Sequence, residues 1–187
     1  MVNNSLILFA EADAVYTDGG VLAEFSWLLV VLPFFAALLI TFFGKYLPMK
    51  GAEVALLTIG SIFIYSVLLM YLHITQGIAN EFFVNVGTIG QFDIEFGWVV
   101  DGLSIMMYFV VGTVALLVFI YATNYMQGEI RYTFFFTSLT LFAGSMLVLV
   151  SSPTLIQILI GWELVGVCSY LLICLLYTSP SPRDSGK

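Results

Sequence analysis

"LIQILIGWELVGVCSYLLI" occupies residues 155–173, and every residue in it except Glu163 is uncharged. About 20 apolar residues in helical form cross the hydrocarbon core of a bilayer. The span read here, 154–173, has that length and carries its only formal charge at the midpoint. Glu163 is about nine residues from either end, or roughly 14 Å at the helical rise, so its carboxylate cannot easily reach water by stretching. A charged residue at the centre of a membrane helix costs about 3 kcal/mol on insertion scales. Such a residue is expected to face a bundle interior or a hydrated path. Desolvation favours the neutral form of any carboxyl and a neighbouring cation favours the charged form. A carboxyl held between those influences can exchange a proton as its neighbour moves. Glu163 is therefore the candidate proton-relay residue, and the bland alternative is a structural glutamate bonded to a neighbouring helix.

The rest of the chain fits that membrane reading. Of its 187 residues, 61% are hydrophobic and 9% charged, against roughly a quarter charged in a soluble domain. The net charge of −7 reflects acids clustered in short polar segments and does not call for a cationic partner or nucleic acid. Cys168 and Cys174 lie six apart, which is neither a disulfide framework nor metal spacing. No cleavable signal is expected, because the short apolar run Leu6–Ala10 has no basic residue before it.

Residues 1–23 form a polar, acidic segment, and five spans follow at 24–43, 52–76, 103–125, 132–150 and 154–173. Pro33 lies inside the first, as a kink that neighbouring helices can satisfy. Ser151-Ser152-Pro153 divides the fourth span from the fifth. Lys45 and Lys50 lie between spans one and two, and Arg131 between three and four. By the positive-inside rule these loops are cytoplasmic, which puts the N-terminus outside. Between spans two and three, residues 81–100 alternate apolar and polar on both sides of a turn bracketed by Gly87 and Gly90. That is a hairpin signal. The expected fold is all-α and transmembrane: a five-helix fragment of an antiporter-like bundle with a short outer-face β-hairpin.

Other residues carry weaker signals. Asp101, before Gly102-Leu103-Ser104, is placed as an N-cap. Gly161 and Gly166 permit close helix approach. Tyr170, seven residues from Glu163, could extend a hydrogen-bonded chain, or else anchor the helix at the interface. His73, the only histidine, could serve proton access, or else sit hydrated at the outer end of span two. Phosphate-binding loops, CxxC pairs, paired histidines and nucleophile–base constellations are all missing, so no cofactor or metal is expected on this chain.

"GWELVGVCSYLLI" (161–173), "VVDGLSIMM" (99–107), "YATNYMQGEIRYTFFF" (121–136) and "LFAGSMLVLV" (141–150) resemble the largest antiporter-like subunit family of respiratory complex I, the NADH–quinone oxidoreductase. The resemblance covers roughly 25–173. It implies a proton-translocating membrane-arm subunit in an energy-transducing membrane, the bacterial inner membrane being the first expectation. Glu163 would then be the family's membrane glutamate, which acts with a lysine on a later helix. The hairpin would contact a neighbouring membrane-arm subunit, and NADH, flavin, iron–sulfur clusters and quinone would all belong to partner subunits. Phe119 stands where many members have histidine, and no lysine lies in any span. Two alternatives remain at this level: a subunit of a cation/proton antiporter or membrane-bound hydrogenase, and a passive membrane scaffold.

After Ile173 the chain leaves the family pattern. "CLLYTSPSPRD" (174–184) resembles the translation of a transposase-type sequencing adaptor, so 174–187 are expected to be a non-native tail.

Overall fold

A computed structural model describes residues 17–18, 25–89, 92–126 and 131–178. Its helices are α1 (Trp27–Phe43), α2 (Ala52–Gln76), α3 (Gly102–Tyr125), α4 (Tyr132–Ser151) and α5 (Leu155–Thr178). A single 3-10 turn, Gly44–Tyr46, follows α1. The strands are β1 (Thr17–Asp18), β2 (Ile78–Ile89) and β3 (Phe92–Val100). The fold is thus the expected antiporter-like helical bundle with a hairpin between the second and third helices. Four of the helices are long and apolar enough to cross a membrane. The first has 17 residues, at the short end of spanning length, because Phe25 and Ser26 form a turn ahead of it. The chain is a multi-pass membrane protein.

Each helix end has a local cause. Asp101 caps α3 as expected: its Oδ1 accepts the backbone N–H of Ser104 at 2.7 Å. α2 is bracketed by Gly51 and Gly77, at φ +96° and +65°. Both lie in the left-handed region, where a side chain is strained. The Gly77 N–H closes the last turn on the carbonyl of His73 at 2.9 Å. Ser152 and Pro153 end α4, since proline bars its predecessor from helical geometry.

α4 is the central element, touching α1, α2, α3 and α5, whereas α5 packs chiefly on α4. In lipid, helices gain little by hiding apolar side chains from one another, so close backbone approach and polar contacts carry the packing. Gly144 of α4 provides such an approach, since a Cβ there would lie 3.0 Å from Pro33 of α1. The buried hydroxyls of α4 close on their own helix. Thr137, Thr140 and Ser145 donate to the carbonyls of Thr133, Phe136 and Leu141 at 3.0, 2.7 and 2.8 Å. The hydroxyl of Thr41 on α1 reaches that of Thr137 at 3.4 Å.

The two ends of the bundle are distinct. Thr133 donates its hydroxyl to the carbonyl of Lys50 at 3.1 Å, so the α1–α2 and α3–α4 connections share one end. At the other end lie the hairpin and the Ser-Ser-Pro turn. There β2 and β3 pair antiparallel from Asn80↔Val100 to Ile89↔Phe92, with an irregularity between Asn85 and Gly87. β1 joins β2 in parallel, Thr17 opposite Ile78, which brings this part of the N-terminal segment to the hairpin end.

Candidate functional site: the open face of α5

α5 has two faces. Gln157, Gly161, Cys168 and Leu175 are buried and form a stripe toward α4. A Cβ on Gly161 would lie 3.0 Å from the Leu149 backbone nitrogen and Cα, so glycine sets the closeness of the α4–α5 contact there. Cys168 Sγ stands 3.9 Å from Ser145 Oγ of α4. At 100° per residue, Glu163 is about 200° around the helix from Gly161, on the reverse side. Glu163 is exposed, with Ile156, Leu159, Ile160, Trp162, Gly166, Val167 and Tyr170 around it.

The expectation for Glu163 is a bundle interior or a hydrated path; among the described residues it lies on the open side of α5. The stripe that fits α4 is the small-residue one, and its choice turns the carboxylate outward. Among the described residues nothing lies within 4 Å of a Cβ built on Gly166, so of the two α5 glycines Gly161 alone makes a close approach there. Tyr170 shares the open face with Glu163 and is 66% exposed. It stands two turns further along, about 10 Å by helical rise. Trp162, beside Glu163, is 69% exposed.

His73 lies at the hairpin end, on α2. Its Nδ1 is 2.7 Å from the carbonyl oxygen of Ile78, and its Nε2 is 2.9 Å from where a Gly102 Cβ would stand. The ring thus wedges the end of α2 against the start of β2 and α3. Among the described residues no three His, Cys, Asp or Glu side chains are grouped to hold a metal.

Sequence reasoning passed over Gln157. Its Oε1 accepts the Gly97 N–H at 3.0 Å, and its Nε2 donates to the Gly97 carbonyl at 2.8 Å. An amide inside an apolar span is itself a signal, because a polar group there requires a partner. What the sequence lacked was the partner, a glycine backbone 60 residues away.

Residues 87–136 match the family described as NADH-ubiquinone oxidoreductase (complex I), chain 5 N-terminus. The chain belongs to the complex I chain 5 family. The NAD(P)H-quinone oxidoreductase subunit 5 of the Paulinella chromatophora chromatophore is 40% identical over 171 residues, covering 88% of this chain and 26% of that protein. Chain 5 of the same enzyme from Synechocystis is 38% identical over 173 residues, 88% and 25% of the two chains. The chloroplast subunit 5 of Physcomitrium patens is 36% identical over 171 residues, covering 87% and 24%. The chain spans about a quarter of the length of these relatives.

Proposed function

We propose that this chain is the N-terminal part of a proton-translocating membrane-arm subunit of an NAD(P)H–quinone oxidoreductase, with Glu163 as its proton-relay carboxylate. The observation that carries the reading is a glutamate at mid-span on a helix face that no other described helix covers. Alone in lipid, such a face is costly. Covered by a further helix bearing a cation, it becomes a site where proton affinity changes with that helix's position. The resemblance assigns this cation to a lysine further along the family's chain. Redox chemistry belongs to partner subunits, which hold the flavin, iron–sulfur clusters and quinone. Energy reaches Glu163 through conformational or electrostatic coupling.

The positive-inside pattern supports a cytoplasmic Lys50 end and an N-terminus outside. Cyanobacterial and plastid relatives are consistent with an energy-transducing membrane, the bacterial inner membrane remaining our first placement. The names of the relatives favour a quinone oxidoreductase over a cation/proton antiporter. Phe82, Phe83 and Val84 of β2 are all about half exposed, and Phe82 stacks on Trp98 with ring centroids 4.4 Å apart. That apolar surface supports docking of the hairpin on a neighbouring membrane-arm subunit.

In the full-length protein within its complex, Glu163→Gln is expected to lower proton pumping with assembly intact. Unchanged pumping would establish the passive scaffold instead. The 187-residue chain by itself is expected to move no protons in proteoliposomes, and uptake by it would overturn the need for a partner cation. The adaptor reading of 174–187 is tested by resequencing across codon 174. Residues 179–187 lie outside the described residues, and α5 runs past Ile173 because Cys174-Leu175-Leu176 continue its apolar pattern.

A further inference from the structure

The hairpin and the helix carrying Glu163 are joined by one side chain. β3 pairs with β2 along one edge, where Gly97 stands opposite Phe83. The N–H and C=O of Gly97 are instead engaged by Gln157, so they point from the other, open edge of the strand. Open strand edges carry unpaired backbone groups that demand partners. A carboxamide offers one donor and one acceptor side by side, the same pair a further strand would supply. Gln157 is 6% exposed, so water does not compete for these bonds.

The neighbours leave Gly97 little freedom. A Cβ there would overlap the carbonyl oxygen of Phe82 and lie 3.2 Å from Pro153 Cγ. Gly97 is therefore held between β2 and the α4–α5 turn, with Gln157 closing the third side. Glu163 follows Gln157 by six residues, about 9 Å along a continuous helix. Below Gln157, α5 meets α4 at Gly161, Cys168 and Leu175, where the 3.9 Å Cys168–Ser145 contact fixes axial height less sharply than two short directional hydrogen bonds.

We propose that Gln157 is the positioning residue for the proton relay: it ties α5 to the hairpin and so sets the height and rotation at which Glu163 stands. The inference rests on the reading of Glu163 given above. A displacement of the hairpin is transmitted through Gly97 to Gln157 and along the helix to the carboxylate. The hairpin thereby becomes a mechanical input to the relay as well as a docking surface.

The test uses the full-length protein in its assembled complex, reconstituted in proteoliposomes, with protons counted per electron passed from NADH to quinone. Gln157→Met keeps the length of the side chain and removes both hydrogen bonds. It is expected to lose at least half of the share of pumping that Glu163→Gln removes, with electron transfer within twofold of wild type. Gln157→Glu adds a readout that a merely structural role would not move. A protonated carboxyl can donate to the Gly97 carbonyl and accept from its N–H, whereas the carboxylate only accepts. Relative to wild type at each pH, this variant is expected to pump normally at acidic pH and to fall to the Gln157→Met level as pH rises, reversibly in one preparation. Wild-type pumping by Gln157→Met, or a Gln157→Glu profile that does not change with pH, overturns the proposal. Should Gln157→Met fail to assemble, the Gln157→Glu profile decides alone. If Glu163→Gln itself leaves pumping unchanged, the relay reading falls first, whereas reduced pumping there beside normal Gln157 variants sinks only the positioning role.

Discussion

α4 and α5 are both apolar helices of spanning length, yet they treat polar side chains in opposite ways. In α4, 44% of the most apolar stretch is buried, and in α5 only 17%. α4 nevertheless carries hydroxyls at Thr137, Thr140 and Ser145, each closed on a carbonyl of the preceding turn. Those groups are neutral and satisfied within their own helix, so their longer contacts to Thr41 of α1 and Cys168 of α5 add to bonds already made. α5 sends its small-residue stripe to α4 and leaves a carboxylate on the open side. A carboxylate cannot be satisfied by its own helix backbone in this way, because an ionised carboxyl is an acceptor and the interior N–H groups of a helix are already bonded. The comparison separates polar residues that complete a helix from one that requires something outside it.

The largest effect expected from breaking this contrast is on insertion. With 155–173 placed as a test segment in a translocon-insertion assay, Glu163→Leu is expected to favour insertion by about 3 kcal/mol, the cost of a central charge. A change below about 1 kcal/mol would mean that the helix end or the bilayer already brings water to this carboxylate.

The next effect distinguishes the two faces of α5 by their glycines. Gly161→Leu would drive its side chain into the Leu149 backbone and is expected to destabilise the full-length protein by about 1–3 kcal/mol, the range for overpacking. Gly166→Leu faces open space among the described residues. Within this bundle it should shift stability by less than about 0.5 kcal/mol, as at other uncrowded positions. Thermal unfolding in detergent compares the two. A large loss from Gly166→Leu in the full-length protein would locate the helix that covers Glu163, since only a close neighbour could object to the added side chain.

What was legible in the sequence follows from how far each signal reaches. The spans were legible because apolar length is a property of one segment, and Asp101 because a cap bonds three residues away. The hairpin was legible from alternation and glycine, although its first strand begins at Ile78 rather than at 81, since Gly77 stops α2 and extension begins at once. The rotation of α5 was not legible. Glu163, Gly161 and Gly166 are equally visible as letters, but only the fit of Gly161 to Leu149 decides which side meets α4. The Gln157–Gly97 link was hidden for a related reason: glycine contributes backbone alone, and backbone partners leave no pattern in a sequence.

A smaller effect is expected at the boundary between the hairpin and the bundle. Asp101→Ala removes the acceptor for the Ser104 N–H and should cost about 1 kcal/mol, as for other N-caps. Asp101→Asn should recover most of it. A loss several-fold larger in thermal unfolding, unrepaired by asparagine, would show that the charge of Asp101 matters and not its geometry.

The smallest effect is the sharpest test of the contrast. Thr140 is fully buried, and its hydroxyl donates 2.7 Å to Phe136 of its own helix. Valine has nearly the same shape without the hydroxyl, and the freed carbonyl keeps its helical N–H partner. Thr140→Val is therefore expected to shift stability by no more than about 0.6 kcal/mol, the mean for hydrogen bonds between membrane helices, and to leave proton pumping by the full-length protein unchanged. If α4 is a passive packing partner, removing its most buried hydroxyl cannot touch a relay on the far side of α5. A pumping defect in Thr140→Val without loss of stability would place the hydroxyls of α4 on a proton path, and the division of labour between the two helices would no longer stand.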